Sequence, residues 1–228
     1  MSIKDNLLMV RESLNNAAIK AGRSAEDVEL MAVSKTKPLA MLMEAYEAGQ
    51  RVFGENRVPE AHDKAVQLPS DVRLEMIGHL QSNKLNTAVE TFSCIQTLDS
   101  VKLAEKLESR CLSTNRKMDV LLQLKTSDEI SKTGLTSFEM LLETVQVLSA
   151  MSCLSIRGLM TIAPFSDDEV VVRKAFAHCR EARDKLAAQF PEQDFSRLSM
   201  GMTSDFEWAV QEGSTQVRIG SAIFGVRS

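Results

Sequence analysis

A lysine follows an apolar run near the start of the chain. Residues 28–34 (VELMAVS) are mostly apolar and lead directly into Lys35, Thr36, Lys37 and Pro38. If this run is a buried strand, the stem of Lys35 is packed and its amine lies at the strand end, where partial loss of water favours the neutral form. A neutral amine can attack a carbonyl carbon. A solvated lysine is the alternative, and we expect solvent around Lys37, because it precedes Pro38 in an extended loop.

Two loops near the C-terminus combine glycines with hydroxyl side chains. The first contains Gly201, Thr203 and Ser204, and the second contains Gly220 and Ser221. Glycine lets backbone N–H groups approach an anion closely, and the start of a following helix favours negative charge. The two loops therefore predict a phosphate site, with ordinary helix capping by Ser and Thr as the alternative.

Short β-rich runs alternate with segments of helical periodicity along nearly the whole chain. The predicted strands span residues 28–34, 51–54, 73–78, 94–98, 118–124, 154–160, 197–200 and 215–219. The predicted helices span residues 3–21, 39–48, 101–112, 138–151 and 169–190, with a further helical stretch up to residue 210. Ser100 is placed to cap the helix at 101, and Gly22 and Gly49 to end helices.

This alternation implies a parallel sheet, and eight such units predict a single α/β domain over residues 1–228, a (β/α)8 TIM-type barrel. An open doubly wound sheet is the alternative. No GxGxxG motif follows the first strand, which argues against dinucleotide binding.

A barrel would bring the lysine and the two loops to one mouth, the rim formed by the C-terminal ends of its strands. An amine and a phosphate site in one cavity predict a ligand that has an aldehyde and a phosphate group, and pyridoxal 5′-phosphate (PLP) has both. Arg218, at the end of the last strand, would then donate a hydrogen bond to the pyridine nitrogen and disfavour protonation of the ring. An ion pair inside the barrel is the alternative for Arg218.

The composition argues against several other classes of protein. The 228 residues carry a net charge of −4 and only 5% are aromatic, so neither a nucleic-acid surface nor an anionic-membrane surface is expected. No segment approaches the ~20 apolar residues of a membrane span, and the N-terminus lacks the apolar stretch of a signal peptide. The four cysteines are spread singly, which predicts free thiols in a reducing compartment and no zinc site. We therefore expect a cytoplasmic protein, and a single barrel is compatible with a monomer.

Seven motifs, in order, resemble the pyridoxal phosphate homeostasis proteins (YggS-type, or proline-synthetase-associated, proteins). They are AVSKTKP (32–38), FGENRV (53–58), IGHLQSNK (77–84), SKTG (131–134), IRGLMTIAP (156–164), SMGM (199–202) and GSTQVRIGSAIFG (213–225). The resemblance runs from about residue 5 to residue 226. Each motif alone is weak, and the ordered set is very specific.

The resemblance implies a barrel like the N-terminal domain of alanine racemase, the fold of type III PLP proteins. The residues implied to hold PLP are Lys35 through an imine, Thr203, Ser204, Gly220 and Ser221 at the phosphate, Arg218 at the pyridine nitrogen, and Asn56 and Met200 nearby. The implied role is to buffer PLP or deliver it, with PLP-dependent apoenzymes as possible partners. Members influence vitamin B6 and amino-acid homeostasis without an established catalytic reaction.

The chain departs from the family pattern at a few positions. Leu74-Glu75-Met76 stands where the family usually has Trp-His-Phe, and Thr203 stands where it has Ser. Pro59 replaces a common Gln, and Lys125 replaces a common Asn. The PLP-anchoring groups are intact, Lys125 at the end of the fifth strand would bring a second amine to the mouth, and functions that depend on the missing His are not expected.

A PLP-dependent racemase or decarboxylase is the alternative function. Racemases of this fold use a lysine together with a tyrosine from a separate β-domain, and this chain ends at Ser228, just after the eighth strand, so no such domain is expected. The single tyrosine, Tyr46, falls in the first crossover helix, where we expect it to pack. Two-sided proton transfer then lacks a second base. A sugar-phosphate enzyme is a third hypothesis, with Glu55 as its main candidate for a catalytic carboxylate.

Overall fold

The computed structural model describes residues 2–127 and 133–225. The strands are β1 (Glu29–Val33), β2 (Val52–Glu55), β3 (Arg73–Met76), β4 (Cys94–Leu98), β5 (Met118–Gln123), β6 (Leu154–Met160), β7 (Arg197–Ser199) and β8 (Gln216–Ile219). The helices are α1 (Ile3–Lys20), α2 (Leu39–Glu47), α3 (Val58–Ala65), α4 (Leu85–Thr91), α5 (Val101–Thr114), α6 (Phe138–Ser149), α7 (Glu169–Gln189), α8 (Phe206–Gln211) and α9 (Ser221–Phe224).

The strands close into a parallel barrel in chain order. Each strand pairs with the next, and β1 also pairs with β8, with Glu29 opposite Gln216 and Ala32 opposite Ile219. All the C-terminal strand ends therefore meet at one rim, which is the mouth. The pairing of the first strand with the last confirms the predicted (β/α)8 barrel and excludes the open sheet.

Most apolar side chains pack between the strands and the surrounding helices. Phe53 of β2, Leu107 of α5 and Phe176 of α7 are fully buried in this layer, and each such side chain contributes about 1.5–3 kcal/mol on burial. A second, small cluster joins Cys94, Leu121 and Met160 of three neighbouring strands. None of the helices within residues 2–127 and 133–225 is long and apolar enough to cross a membrane.

One glycine is required where β6 meets β7. Gly158 has a φ of +141°, and a Cβ at this position would lie 1.8 Å from the carbonyl oxygen of Arg197. Because any side chain would collide with the backbone of the neighbouring strand, only glycine allows this close approach.

The predicted helix boundaries are largely confirmed. The side chain of Ser100 accepts a hydrogen bond from the backbone N–H of Leu103 at the start of α5, and Gly22 and Gly49 follow α1 and α2 with φ values of +68° and +88°. The helices α3, α4 and α9 were not predicted, because with 8, 7 and 4 residues they are too short to show a clear period. In the SKTG motif, residues 131 and 132 lie outside the described part of the chain.

Candidate functional site

A cavity of about 680 Å³ opens at the mouth of the barrel. Its lining residues are Val33, Lys35, Thr36, Lys37, Asn56, Ile77, Ile162, Met202, Thr203, Ser204, Arg218, Gly220, Ser221 and Gly225. Seven of the eight residues implied to contact a cofactor are in this set. The eighth, Met200, is fully buried in the main apolar core, so its side chain packs behind the cavity wall.

Lys35 lies on a turn that leaves β1 at the mouth. Its side chain is half-buried, and the next residue, Thr36, has a φ of +63°. A β-branched residue rarely adopts this left-handed conformation. The backbone N–H of Thr36 donates a hydrogen bond to Oε1 of Glu60 in α3 at 2.5 Å, and this contact helps to hold the strained turn in place.

A buried ion network lies beneath the turn. Nζ of Lys64 donates hydrogen bonds to Glu55 Oε1 and Glu60 Oε1, both at 2.7 Å, and to the carbonyl oxygen of Ser34 at 3.0 Å. The hydroxyl of Ser34 also donates to Glu55 Oε1, at 2.6 Å. Sequence reasoning missed Lys64, although its four-residue spacing from Glu60 in one helix was a usable signal.

Glu55 helps to anchor the turn after β1, because its carboxylate accepts hydrogen bonds from Ser34 and Lys64. Its side chain is fully buried and is not part of the cavity lining. Burial raises the pKa of the Glu55 carboxyl, and the hydrogen bonds from Lys64 and Ser34 oppose that shift. The geometry therefore does not support Glu55 as the catalytic carboxylate of a sugar-phosphate enzyme.

Asn56 brings an unused acceptor to the cavity. Its Oδ1 atom is buried and has no hydrogen-bond partner among the described residues, while the residue lines the cavity. A buried carbonyl oxygen without a donor is costly in free energy. A ligand with an N–H or O–H group at this position would satisfy it.

The two loops predicted to hold phosphate meet at the mouth. The hydroxyl of Ser221 donates a hydrogen bond to the hydroxyl of Thr203 at 3.3 Å, and Thr203, Ser204 and Ser221 are all exposed. Gly201 has a φ of +96°, and a Cβ there would lie 2.6 Å from the Cβ of Ala209. Glycine is therefore needed for the loop after β7 to pack against α8.

Arg218 lies at the end of β8 and is almost fully buried, with 4% of its surface exposed. Nη1 donates hydrogen bonds to the carbonyl oxygen and the hydroxyl of Ser199 at 2.6 and 2.8 Å, and Nη2 donates to the carbonyl oxygen of Thr161 at 2.8 Å. Burial lowers the pKa of Arg218 to about 10, so the guanidinium stays protonated at neutral pH. These three hydrogen bonds go to neutral oxygens, and the charge of the nearby Asp205 carboxylate opposes the lowering of the Arg218 pKa by burial.

The prediction that Lys37 is solvated is wrong. Its ammonium donates hydrogen bonds to the carbonyl oxygens of Phe224 and Gly225 at 3.1 and 3.0 Å. These contacts join the turn after β1 to the end of α9. The sequence around Lys37 could not reveal them, because their partners lie far along the chain. Lys125, the second amine expected at the mouth, is half-buried and does not line the cavity.

Tyr46 lies at the opposite rim of the barrel. Its hydroxyl donates to Oδ1 of Asp71 at 2.9 Å, and its ring lies under the guanidinium of Arg51 at 3.9 Å. Asp71 and Arg51 stand just before β3 and β2, which places this cluster away from the mouth.

Apolar side chains complete the cavity. Val33, Ile77, Ile162 and Met202 line it, and sequence reasoning did not single them out as site residues. Their position at or just beyond strand ends was the available signal. An apolar wall beside a few polar groups is typical of a small-molecule site.

These groups fit the cofactor that the sequence predicts. The cavity offers an amine for an aldehyde, hydroxyl donors for a phosphate and a guanidinium donor for an aromatic ring nitrogen. The unsatisfied Oδ1 of Asn56 supplies an acceptor for a polar ring substituent, and the apolar wall suits an aromatic ring.

The closed barrel and the residues at its mouth define the class of protein. The family described as "Alanine racemase, N-terminal domain" has a model that matches residues 11–228. The pyridoxal phosphate homeostasis protein of Pasteurella multocida is 39% identical over 230 residues, which cover 100% of this chain and 98% of the relative. The protein of that name from Vibrio alginolyticus is 41% identical over 232 residues, covering 99% and 98%. The chain therefore belongs to the pyridoxal phosphate homeostasis protein family, as the sequence motifs predicted.

Solved structures agree with this assignment. PipY of Synechococcus elongatus PCC7942, solved with PLP bound, matches with a TM-score of 0.86 and 37% identity, covering 98% of this chain and 100% of PipY. Alanine racemase of Clostridium difficile 630 matches with a TM-score of 0.76 and 14% identity, covering 95% of this chain and 56% of the racemase. The racemase therefore shows the shared fold alone.

Proposed function

We propose that this chain, as one unit over residues 1–228, binds PLP at the barrel mouth and serves in PLP and vitamin B6 homeostasis as a carrier. The observation that carries the proposal is that Lys35, Asn56, Arg218 and the two hydroxyl loops line one cavity. The relatives named for PLP homeostasis and the PLP-bound structure of PipY support it.

Lys35 would hold PLP covalently. Its Nζ adds to the aldehyde carbon and the aldehyde oxygen leaves as water, so that a C=N bond replaces the C=O bond. Glu60 accepts a hydrogen bond from the backbone N–H of Thr36, the residue after Lys35. Lys64 donates one to the carbonyl oxygen of Ser34, the residue before Lys35. This support from α3 fixes the backbone on both sides of the lysine, so that its amine is presented from a defined turn.

The remaining groups would bind PLP without covalent bonds. Thr203, Ser204, Gly220 and Ser221 supply hydroxyl and backbone donors for the phosphate. Arg218 supplies a donor that stays charged at neutral pH, which suits the unprotonated pyridine nitrogen. When bound, PLP supplies an electrophilic aldehyde and an electron-withdrawing ring.

The mouth favours a carrier over a racemase or decarboxylase. Racemisation requires a second acid–base group opposite the lysine. Among the described residues that line the cavity, the other titratable side chains are Lys37 and Arg218. Lys37 is bonded to two carbonyl oxygens, and Tyr46 lies at the opposite rim.

We also propose that the protein is a cytoplasmic monomer that passes PLP to PLP-dependent apoenzymes. The cavity opens at the barrel mouth, and Thr203, Ser204 and Ser221 are exposed there, which supports release of a ligand to a partner. Size-exclusion chromatography with light scattering tests the monomer. Recovery of activity by an added apoenzyme, compared with free PLP at the same concentration, tests delivery.

Visible absorption spectroscopy tests PLP binding. Purified protein mixed with PLP should give a saturable yellow band that borohydride reduction abolishes, with PLP retained on the denatured protein after reduction. Protein whose lysines have been blocked by reductive methylation serves as a control, because its dimethylated amines cannot form the C=N bond. Absence of saturable binding by the untreated protein would contradict the proposed function.

A further inference from the structure

The inner face of the barrel carries a buried line of hydrogen bonds that begins at Arg218. Arg218 Nη1 donates to Ser199 Oγ at 2.8 Å, Ser199 Oγ donates to Gln96 Oε1 at 2.6 Å, and Gln96 Nε2 donates to Glu75 Oε2 at 2.6 Å. We call these four residues the interior chain. Each of them has at most 4% of its surface exposed. In such a dry interior, polar groups depend on one another for their hydrogen bonds.

The two end residues of the interior chain allow its hydrogen bonds to be donated in only one direction, from Arg218 towards Glu75. A guanidinium can only donate hydrogen bonds, and a carboxylate can only accept them. Because Arg218 donates to the hydroxyl of Ser199, the hydroxyl proton is free to point at the carbonyl end of the Gln96 amide. The amino end of Gln96 then faces Glu75. Gln96 Nε2 also donates to Gln216 Oε1 at 2.6 Å, so Glu75 and Gln216 together direct the Gln96 amide, and Glu75 is the charged acceptor of the two.

Glu75 itself is held by an ion pair. Nη2 of Arg197 donates to both carboxylate oxygens, at 2.9 and 2.8 Å, and the carboxylate is 1% exposed. Arg197 does not contact Gln96 or Ser199 through any hydrogen bond within the described ranges. The ion pair and the interior chain are thus two separate contacts of the same carboxylate.

We propose that Glu75 is a positioning residue for Arg218, acting through Gln96 and Ser199. The inference rests on the proposed function, in which Arg218 binds the pyridine nitrogen of PLP. Glu75 does not line the cavity. Glu75 directs the amide of Gln96 and, through it, the hydroxyl of Ser199. A lone pair of the Ser199 oxygen then stays turned towards Arg218, which holds the guanidinium in one orientation beside the cavity.

Two variants separate this role from simple stabilisation, because both weaken the same ion pair. Glu75→Gln removes the charge that directs the interior chain, whereas Arg197→Lys keeps Glu75 ionised. We expect both to lower the melting temperature. Glu75→Gln should also weaken PLP binding about three- to tenfold, the worth of roughly one hydrogen bond, and shift the pH midpoint of the PLP absorption band. Arg197→Lys should leave affinity within about twofold and the midpoint unchanged.

Glu108→Gln is a matched control for the loss of a carboxylate. Glu108 accepts hydrogen bonds from the backbone N–H groups of Ser152, Cys153 and Leu154, before and at the start of β6. It therefore lies at the rim opposite the mouth, and its loss should lower stability without changing PLP affinity or the spectrum.

Ser199→Ala cuts the interior chain without touching the ion pair, and it carries the test if Glu75→Gln does not fold. It should weaken PLP binding as Glu75→Gln does, and adding Glu75→Gln to it should change affinity by less than about twofold, because the connection is already broken. If the unmodified protein binds PLP but Glu75→Gln matches Arg197→Lys in affinity and spectrum, or if Ser199→Ala changes neither, the positioning role is wrong. If the unmodified protein does not bind PLP, the proposed function itself fails.

Discussion

At the scale of single residues, three lysines near the mouth differ in what surrounds their amines. Lys35 lines the cavity at the end of β1, and the ammonium of Lys37 donates hydrogen bonds to carbonyl oxygens at the end of α9. Lys125 follows β5 and lies outside the cavity lining. The structure therefore favours Lys35 as the amine that meets an aldehyde.

Lys35→Ala should abolish the reducible yellow band and leave the fold intact, because a strand-end lysine contributes little packing. Weak binding of PLP should persist, since the phosphate loops remain. The measurement is mass spectrometry of borohydride-reduced, proteolysed protein, with Lys125→Ala as the control that keeps the band. A pyridoxyl group on the peptide of Lys125, with none on Lys35, would overturn the assignment.

Arg218→Glu should change the electronic state of bound PLP. A carboxylate stabilises a protonated pyridine nitrogen, which makes the ring a stronger electron sink, so slow transamination of added amino acids should increase. The variant should also be less stable, because the carbonyl oxygens of Ser199 and Thr161 lose their donor.

Absorption spectra and keto-acid formation by the folded, PLP-loaded variant measure these effects. Arg218→Lys keeps the positive charge and is the control. An unchanged spectrum and unchanged reactivity in Arg218→Glu would place Arg218 away from the ring.

At the scale of elements, α3 matters because it supports the turn that carries Lys35. Lys64 and Glu60 project from this helix to Ser34, Glu55 and Thr36. A short polar helix with little apolar surface thus determines the position of the residue at the end of β1. The support is electrostatic and largely buried, so it should be sensitive to removal of the Lys64 ammonium.

Lys64→Met should lower the free energy of unfolding by about 3–5 kcal/mol, because it leaves the buried carboxylate of Glu55 without its cation. Glu60→Gln, which alters the more exposed partner of the same lysine, should cost about 1 kcal/mol or less. Urea unfolding measures both. The double variant Glu55→Leu/Lys64→Met should recover part of the loss, and a Lys64→Met cost no greater than that of Glu60→Gln would show that the network does not support the turn.

At the scale of the whole molecule, barrel closure places the amines of Lys35 and Lys37, the guanidinium of Arg218 and the phosphate loops around one cavity. It also places Tyr46, the single tyrosine, at the other rim, where its hydroxyl donates a hydrogen bond to Asp71. The PLP-loaded protein should therefore not racemise L-alanine or other common amino acids at an enzyme-like rate.

Chiral chromatography after incubation with saturating PLP checks this expectation, with an authentic alanine racemase as the positive control. Turnover of about 1 s⁻¹ or faster, a rate typical of enzymes, would mean that a second acid–base group acts at the mouth.

The sequence by itself determined the alternation of strands and helices, the family and half of the residues that line the cavity. These features are local. Apolar strands, helical periodicity and capping residues such as Ser100 are set by neighbours within a few positions, and Lys35 and the Gly201 and Gly220 loops lie where such strands end.

Only the tertiary structure decided which distant residues share an environment. The bonds from Lys37 to the end of α9, the burial of Met200 in the core and the line from Arg218 to Glu75 depend on the register in which eight strands close. Strand periodicity places each side chain on one of two faces, but it does not say which residues of other strands lie at the same height in the barrel. That height is fixed when β1 pairs with β8, so the direction of the interior chain is a property of the closed barrel.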